Sequence, residues 1–246
     1  MQAPQRTAFS GPTLIRLLAR LADVEVTESR QSLSDRLSQW LHWTDAIALS
    51  TALSGNVPAV TPGAQAPVIS AEEAECARVR STLANAIAGG GAHAAKRYGT
   101  AKTSAHAAPM DAAIDYAAFR QIYLSMQQTM ETGIGNLRGR LRTKLSAGTP
   151  GMSRLAEVDA VMERALSPRE RSLLATVPGL LGGHFERLRK AERDTLTAAQ
   201  APEDAPATTP GAWLNVFRKD MQSVLLAELD LRFQPVEGLL AALRTR

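Results

Sequence analysis

Residues 114–145 read IDYAAFRQIYLSMQQTMETGIGNLRGRLRTKL and contain the most regular pattern in the chain. Apolar residues recur through this stretch at steps of three or four: Ile114, Ala118, Ile122, Met126, Met130, Ile134, Leu137, Leu141 and Leu145. This spacing places the side chains along one face of an α-helix. The pattern predicts a long helix over residues 111–147 that opens at Asp111 and stops at Gly148.

Helical patterns also surround this stretch on both sides. One amphipathic helix is predicted after Gly11-Pro12, and a second from Ser32 to Gly55. A capping box predicts a helix start at Ser70, and the glycines at 89–91 are expected to weaken or end that helix. Ser167-Pro168 predicts a further start, and a helix from residue 212 should end near Gln234, with Pro235 beginning a short last one. No alternating strand pattern occurs, which predicts an all-α multi-helix bundle of helical hairpins.

Two segments without helical periodicity divide the chain. Residues 55–69 contain three prolines and no charge, and residues 201–211 are rich in proline and alanine. Both are typical of linkers. The resulting prediction is an N-terminal helical hairpin at 1–54, a linker at 55–69, a central helical bundle at 70–200, a linker at 201–211 and C-terminal helices at 212–246.

The composition limits the class of protein. Aromatic residues make up only 4% of the chain, so a core built from Ala, Leu, Val, Ile and Met is expected. The single cysteine, Cys76, cannot form an intramolecular disulfide, which fits a reducing compartment. The first residues lack the apolar region of a secretory signal, and no stretch approaches the length of a membrane span. The expectation is a cytoplasmic protein without membrane insertion.

The residues that carry catalysis and metal binding are scattered. The four histidines, His42, His93, His106 and His184, form no pair at four-residue spacing and no cluster with cysteine. The nearest match to a dinucleotide-binding turn, at Gly133, has Arg138 where the third glycine belongs. We therefore expect no enzyme activity, no cofactor and no metal.

A basic stretch at residues 138–144 is the sharpest local feature. Arg138 and Arg142 are predicted on one flank of the leucine stripe, and Arg140 and Lys144 on the other. Such a helix could follow a phosphate backbone, although a solvated helix end near the negative end of the helix dipole explains the same charges. The candidate nucleic-acid-binding residues are Arg138, Arg140, Arg142, Lys144, Arg187, Arg189 and Lys190.

Long amphipathic helices favour contacts with other proteins, because their apolar faces can be covered by a partner or by a second copy. The candidate interaction residues are Trp40, Trp43, Trp213, Phe217 and Met221. They lie on the predicted helices at 32–55 and 212–234. A homo-oligomer and DNA are further candidate partners.

Three stretches resemble a known family: QRTAFSGPTLIRLLARLADV at 5–24, ESRQSLSDRLSQWLHWTDAIALS at 28–50 and DLRFQPVEGLLAALR at 230–244. They resemble an uncharacterised bacterial family, a domain of unknown function, over the whole chain. The resemblance implies similarity to an accessory component of the type III Zorya antiphage defence system, encoded beside a membrane motor of the flagellar-stator type and an OmpA-like partner. It brings no catalytic residues.

Two functions follow as expectations. The first is a non-catalytic cytosolic accessory or adaptor protein that contacts other components of the same defence system through its helices. The alternative is a nucleic-acid-binding effector subunit that uses the basic helix around residues 138–144.

Overall fold

A computed structural model describes residues 12–26, 31–54, 69–99, 115–199 and 211–244. These residues form eight helices and no strand, which confirms the predicted all-α class. The helices are α1 (Thr13–Ala22), α2 (Leu33–Trp40), α3 (Trp43–Ser54), α4 (Ile69–Gly99), α5 (Tyr116–Ser146), α6 (Pro150–Leu174), α7 (Val177–Ala199) and α8 (Ala212–Arg244).

The chain divides into two compact units, each assembled from segments that are distant in sequence. The first unit takes residues 1–28, 86–126 and 177–231, and the second takes 29–85, 127–176 and 232–246. Helix α1 contacts α7 in the first unit, whereas α2 and α3 contact α6 in the second. Of the segment predicted as an N-terminal hairpin at 1–54, α1 lies in the first unit and α2 and α3 lie in the second, and the predicted domain division stays a prediction. The two predicted linkers lie almost wholly outside the described residues and stay predictions.

An aromatic cluster forms the core of the first unit. Phe119, Phe185 and Phe217 are fully buried, and the Phe185 and Phe217 rings lie 5.0 Å apart in a T-shaped arrangement. Edge-to-face pairs of this kind add to the free energy gained from burial alone. The expectation of a core without aromatic residues was wrong for this unit, because the few that the chain has are concentrated in one place.

Tyr116 at the start of α5 packs tightly against α7. A Cβ atom added to Gly182 would lie 2.9 Å from Cε1 of Tyr116, so the ring occupies the space that any larger residue would need. The Tyr116 hydroxyl donates a hydrogen bond to the carbonyl oxygen of Pro178, and burial raises the pKa of this tyrosine to about 12. Deeper in the unit, the Tyr123 hydroxyl donates to the fully buried Glu228 carboxylate at 2.7 Å.

Aliphatic residues fill most of the core of the second unit. Five residues of the predicted α5 stripe are buried there: Met130, Ile134, Leu137, Leu141 and Leu145. The end of α8 adds Phe233, Val236, Leu239, Leu240 and Leu243. The spacing of the stripe thus predicted the buried face of the second half of α5 correctly. In the first half, Ala118, Ile122 and Met126 are only half-buried, and the buried residues are Phe119, Tyr123 and Gln127.

The single helix predicted from Ser32 to Gly55 is wrong, because the chain breaks between α2 and α3. Leu41 adopts an extended conformation, and the backbone N–H of His42 donates to Oδ2 of Asp45 at 3.3 Å. This contact satisfies one of the free N–H groups at the start of a helix, so α3 begins afresh at Trp43.

Three predicted boundaries between helices are absent. Helix α6 continues through Pro168, α8 through Pro235 and α4 through the glycines at 89–91. A proline removes one helical hydrogen bond, but burial of the residues beside it can outweigh that loss. Around Pro235 both Phe233 and Val236 are buried.

The helix predicted at 111–147 is shorter in the structure, within the residues that the structure describes. Helix α5 begins at Tyr116, where the N–H of Ala117 donates to Oδ1 of Asp115, and it ends at Ser146. Asp111, the predicted start, lies outside the described residues.

Candidate interaction surface

The outer face of α3, in the second unit, is exposed and uncharged. Trp43 is 80% exposed and Ile47, one turn further on, is 50% exposed. The other exposed residues of α3 are small, apolar or hydroxyl-bearing: Thr44, Ala46, Ser50, Thr51, Leu53 and Ser54. We call the exposed residues at 43–54 the α3 face. Large apolar side chains exposed side by side are typical of contact sites for other macromolecules.

The opposite side of α3 packs against α6. Ala48, Leu49 and Ala52 lie on this inward side, and Ala52 is buried. Small residues here let the two helix axes approach closely. Asp45, the one ionisable residue of α3, is half-buried and accepts the hydrogen bond from His42. The packing therefore turns the charge of α3 inward and the tryptophan outward.

Trp40, the other predicted contact residue of this region, is held by its own unit. The guanidinium carbon of Arg169 lies 5.8 Å from the centre of the Trp40 ring, within the range of a cation–π interaction. Trp40 is half-buried, whereas Trp43 projects into solvent. Of the two predicted tryptophans, Trp43 is the one available to a partner.

The remaining predicted interaction residues are core residues of the first unit. Trp213, Phe217 and Met221 are all buried, and the Trp213 and Phe185 rings lie 4.9 Å apart. These side chains therefore pack within the first unit, and their assignment as contact residues stays a prediction. Their four-residue spacing marks an apolar helix face, but spacing alone cannot distinguish a face buried within the chain from one that a partner covers.

The basic stretch of α5 is neutralised on its first flank by α6. Arg138 binds Asp159 through two hydrogen bonds, from Nε at 2.8 Å and from Nη2 at 2.6 Å. Arg142 donates to Oδ2 of Asp159 at 3.0 Å and also to Glu163. Burial disfavours the charged form of Arg142, yet hydrogen bonds to Glu163 and Asp159 outweigh it and raise the pKa of Arg142. We call these four residues the inner ladder.

The second flank of the basic stretch is neutralised by α4. Arg140 Nη2 lies 2.5 Å from Oε1 of Glu75, and Lys144 Nζ lies 3.3 Å from Oε1 of Glu72. Hydrogen bonds from Arg78 and Arg140 lower the pKa of Glu75 to about 2. These cations are about half exposed, in contrast to those of the inner ladder. We call the Arg140–Glu75 and Lys144–Glu72 pairs the outer ladder.

The two predicted flanks of the basic stretch therefore exist, but each cation on them already has a carboxylate. A phosphate group would have to displace an intramolecular ion pair at each position. The sequence showed the cations and not their partners, because the acids lie 17 or more residues away and reach α5 only through helix packing.

The second predicted basic patch belongs to α7 in the first unit. The Arg187 guanidinium donates to the carbonyl oxygen of Leu21 at the end of α1. Arg189 Nη1 lies 4.0 Å from Oε1 of Glu186, and Lys190 is exposed. Arg187 thus joins α1 to α7, a role that its position in the sequence did not indicate.

Some of the described polar contacts join two helices. His184 Nε2 lies 2.8 Å from Oδ2 of Asp220, which links α7 to α8. The Cys76 thiol is buried, and burial raises its pKa, which disfavours the nucleophilic thiolate. Among the described residues, no group of three histidine, cysteine or acidic side chains is arranged to hold a metal ion.

These features define an all-α protein whose described exposed surface includes an uncharged helical face. The chain belongs to the family described as a protein of unknown function, DUF3348, whose model matches residues 1–245. Comparisons with curated proteins and with solved structures gave no match. No helix among the described residues has both the length and the apolar character needed to span a membrane.

Proposed function

We propose that this chain is a non-catalytic cytoplasmic accessory or adaptor protein that binds a helix of another protein through the α3 face. The observation that carries the proposal is the exposure of Trp43 and Ile47 on a helix face without charge. The placement within a bacterial antiphage defence system rests on the sequence resemblance, and the partners are then other components of that system.

The physical reason lies in desolvation. Covering Trp43 and Ile47 removes apolar surface from water without stripping water from any ion of the α3 face. Tryptophan is among the residues whose truncation most often weakens a protein interface strongly. A partner helix with a similarly uncharged face would fit this surface as an amphipathic helix fits a groove.

The test is co-purification of the full-length chain with each protein encoded in the same defence locus. We expect capture of at least one component, and we expect the Trp43→Gln, Ile47→Gln double variant to lose it. Val216→Gln is the matched control, because Val216 is 47% exposed but lies on α8 in the first unit. Capture that is unchanged in the double variant would refute a role for the α3 face.

A parallel purification with nuclease separates this proposal from the predicted nucleic-acid-binding effector. We expect capture to survive nuclease treatment. The effector reading has weaker support, since the cations of the basic stretch on α5 are engaged in the two ladders. If capture disappears with nuclease and depends on Arg140 and Lys144, nucleic acid is the partner instead.

A further inference from the structure

We infer that a second copy of this chain occupies the α3 face when no other partner is present, with the two α3 helices packed antiparallel. This inference rests on the proposed function, since it names an occupant of the same surface. It follows from the charge and from the size pattern of the exposed residues at 43–54.

The absence of charge on the α3 face favours a symmetric contact between two copies. A two-fold symmetric contact places the same surface patch of both copies together, so any charge near the axis meets the same charge. The chain has a net charge of +4, yet the α3 face has no ionisable side chain. Two copies can therefore approach through this face without local repulsion between like charges.

Large and small residues alternate along the α3 face. In an antiparallel pair centred between Ile47 and Ser50, Ile47 of each copy lies opposite Ser50 of the other. Trp43 then lies opposite Ser54 at the end of the partner helix. Each large side chain meets a small one, which is the arrangement that packs two helices without voids or overlap. A parallel pair would place the two Trp43 side chains against each other.

The size of the contact sets its strength. A helix of 12 residues is about 18 Å long and about 10 Å wide, so α3 alone offers a contact smaller than a stable specific interface, and the pair is weak and transient. Such contacts are reversible and form at micromolar or higher concentration. A protein partner with a larger contact would displace the second copy.

The first experiment is sedimentation equilibrium of the full-length protein over a concentration series. We expect reversible conversion from 26.3 kDa to twice that mass. The Trp43→Gln variant should raise the dissociation constant by about tenfold or more, whereas Val216→Gln should leave it unchanged. A monomer at every concentration, or a dimer indifferent to Trp43, would overturn the inference.

The second experiment fixes the orientation through single cysteine substitutions. In the antiparallel pair the two copies of residue 50 lie about 5 Å apart along the axis, and the two copies of residue 54 about 17 Å apart. Ser50→Cys should therefore form an intermolecular disulfide on mild oxidation and Ser54→Cys should not. If both variants form the disulfide, the two helices are parallel. If neither does, the two copies meet through a different interface. Either result would overturn the antiparallel pair. The unmodified chain, with its buried Cys76, is the control.

The outcomes separate the two proposals. If the chain captures a defence component through Trp43 but remains monomeric, the proposed function is supported and the proposed dimer is refuted. If the chain forms a Trp43-dependent dimer but captures no component, the proposed dimer is supported and the adaptor role is refuted. If neither measurement depends on Trp43, both proposals fail.

Discussion

Helix α5 contributes to both units, and its two halves are held by different forces. In the first unit, residues 116–126 place Phe119 and Tyr123 in an aromatic core. In the second unit, residues 127–146 bury leucines beneath two rows of ion pairs. Apolar burial is largely insensitive to salt and pH, whereas exposed ion pairs respond to both. The two units should therefore differ in what destabilises them.

The largest expected effect is in the aromatic core. Phe217→Ala removes a fully buried ring that contacts Phe119 and Phe185, and should lower the free energy of unfolding by about 3 to 5 kcal/mol. Chemical denaturation at neutral pH measures this loss, and added salt should not change it.

The neighbouring residue provides the control for this prediction. Val216 lies beside Phe217 on α8 but is half exposed, so Val216→Ala should cost less than about 1 kcal/mol. Equal losses in the two variants would mean that the ring cluster is not the core of the first unit.

The sequence predicted most of what depends on local pattern. The all-α class, the buried stripe in the second half of α5 and the two flanks of the basic stretch follow from the repeat of three and four residues. Pro168 and Pro235 were misread because local rules assign prolines to helix starts, whereas the packing around these two residues is set by distant parts of the chain.

The candidate surface was predictable only in part. Trp40 and Trp43 were both predicted as contact residues, and the break at His42 separates a half-buried tryptophan from an exposed one. Trp213 has the same residue type and a similar helical context, yet it is buried. Whether a tryptophan is exposed depends on which helices pack together. Local spacing does not show this, because each unit is assembled from segments that are distant in the sequence.

The next largest effect is in the inner ladder. Asp159→Asn weakens the contacts to Arg138 and Arg142, both mostly buried, and should lower the free energy of unfolding by about 2 to 3 kcal/mol. Lys144→Gln breaks a pair of the outer ladder whose lysine is 53% exposed, and should cost less than about 1 kcal/mol. Chemical denaturation of both variants at low and high salt measures the difference. A loss at Lys144 as large as that at Asp159 would contradict the distinction between the ladders.

The smallest effect is the pH response of the outer ladder, through Glu75. Its pKa is about 2 in the folded protein and near 4.5 in the absence of its partners, so the folded state favours the ionised carboxylate. The stabilisation is fully present above pH 4.5 and is lost as pH falls towards 2. Thermal unfolding should therefore show that Glu75→Gln lowers the melting temperature at pH 6 and that this difference narrows steadily between pH 4.5 and 2. Glu157→Gln, an exposed glutamate on α6, controls for the general effect of removing an acid. If the difference in melting temperature between the Glu75 variant and the unmodified chain stayed constant between pH 4.5 and 2, Arg78 and Arg140 would not stabilise the carboxylate in the folded state.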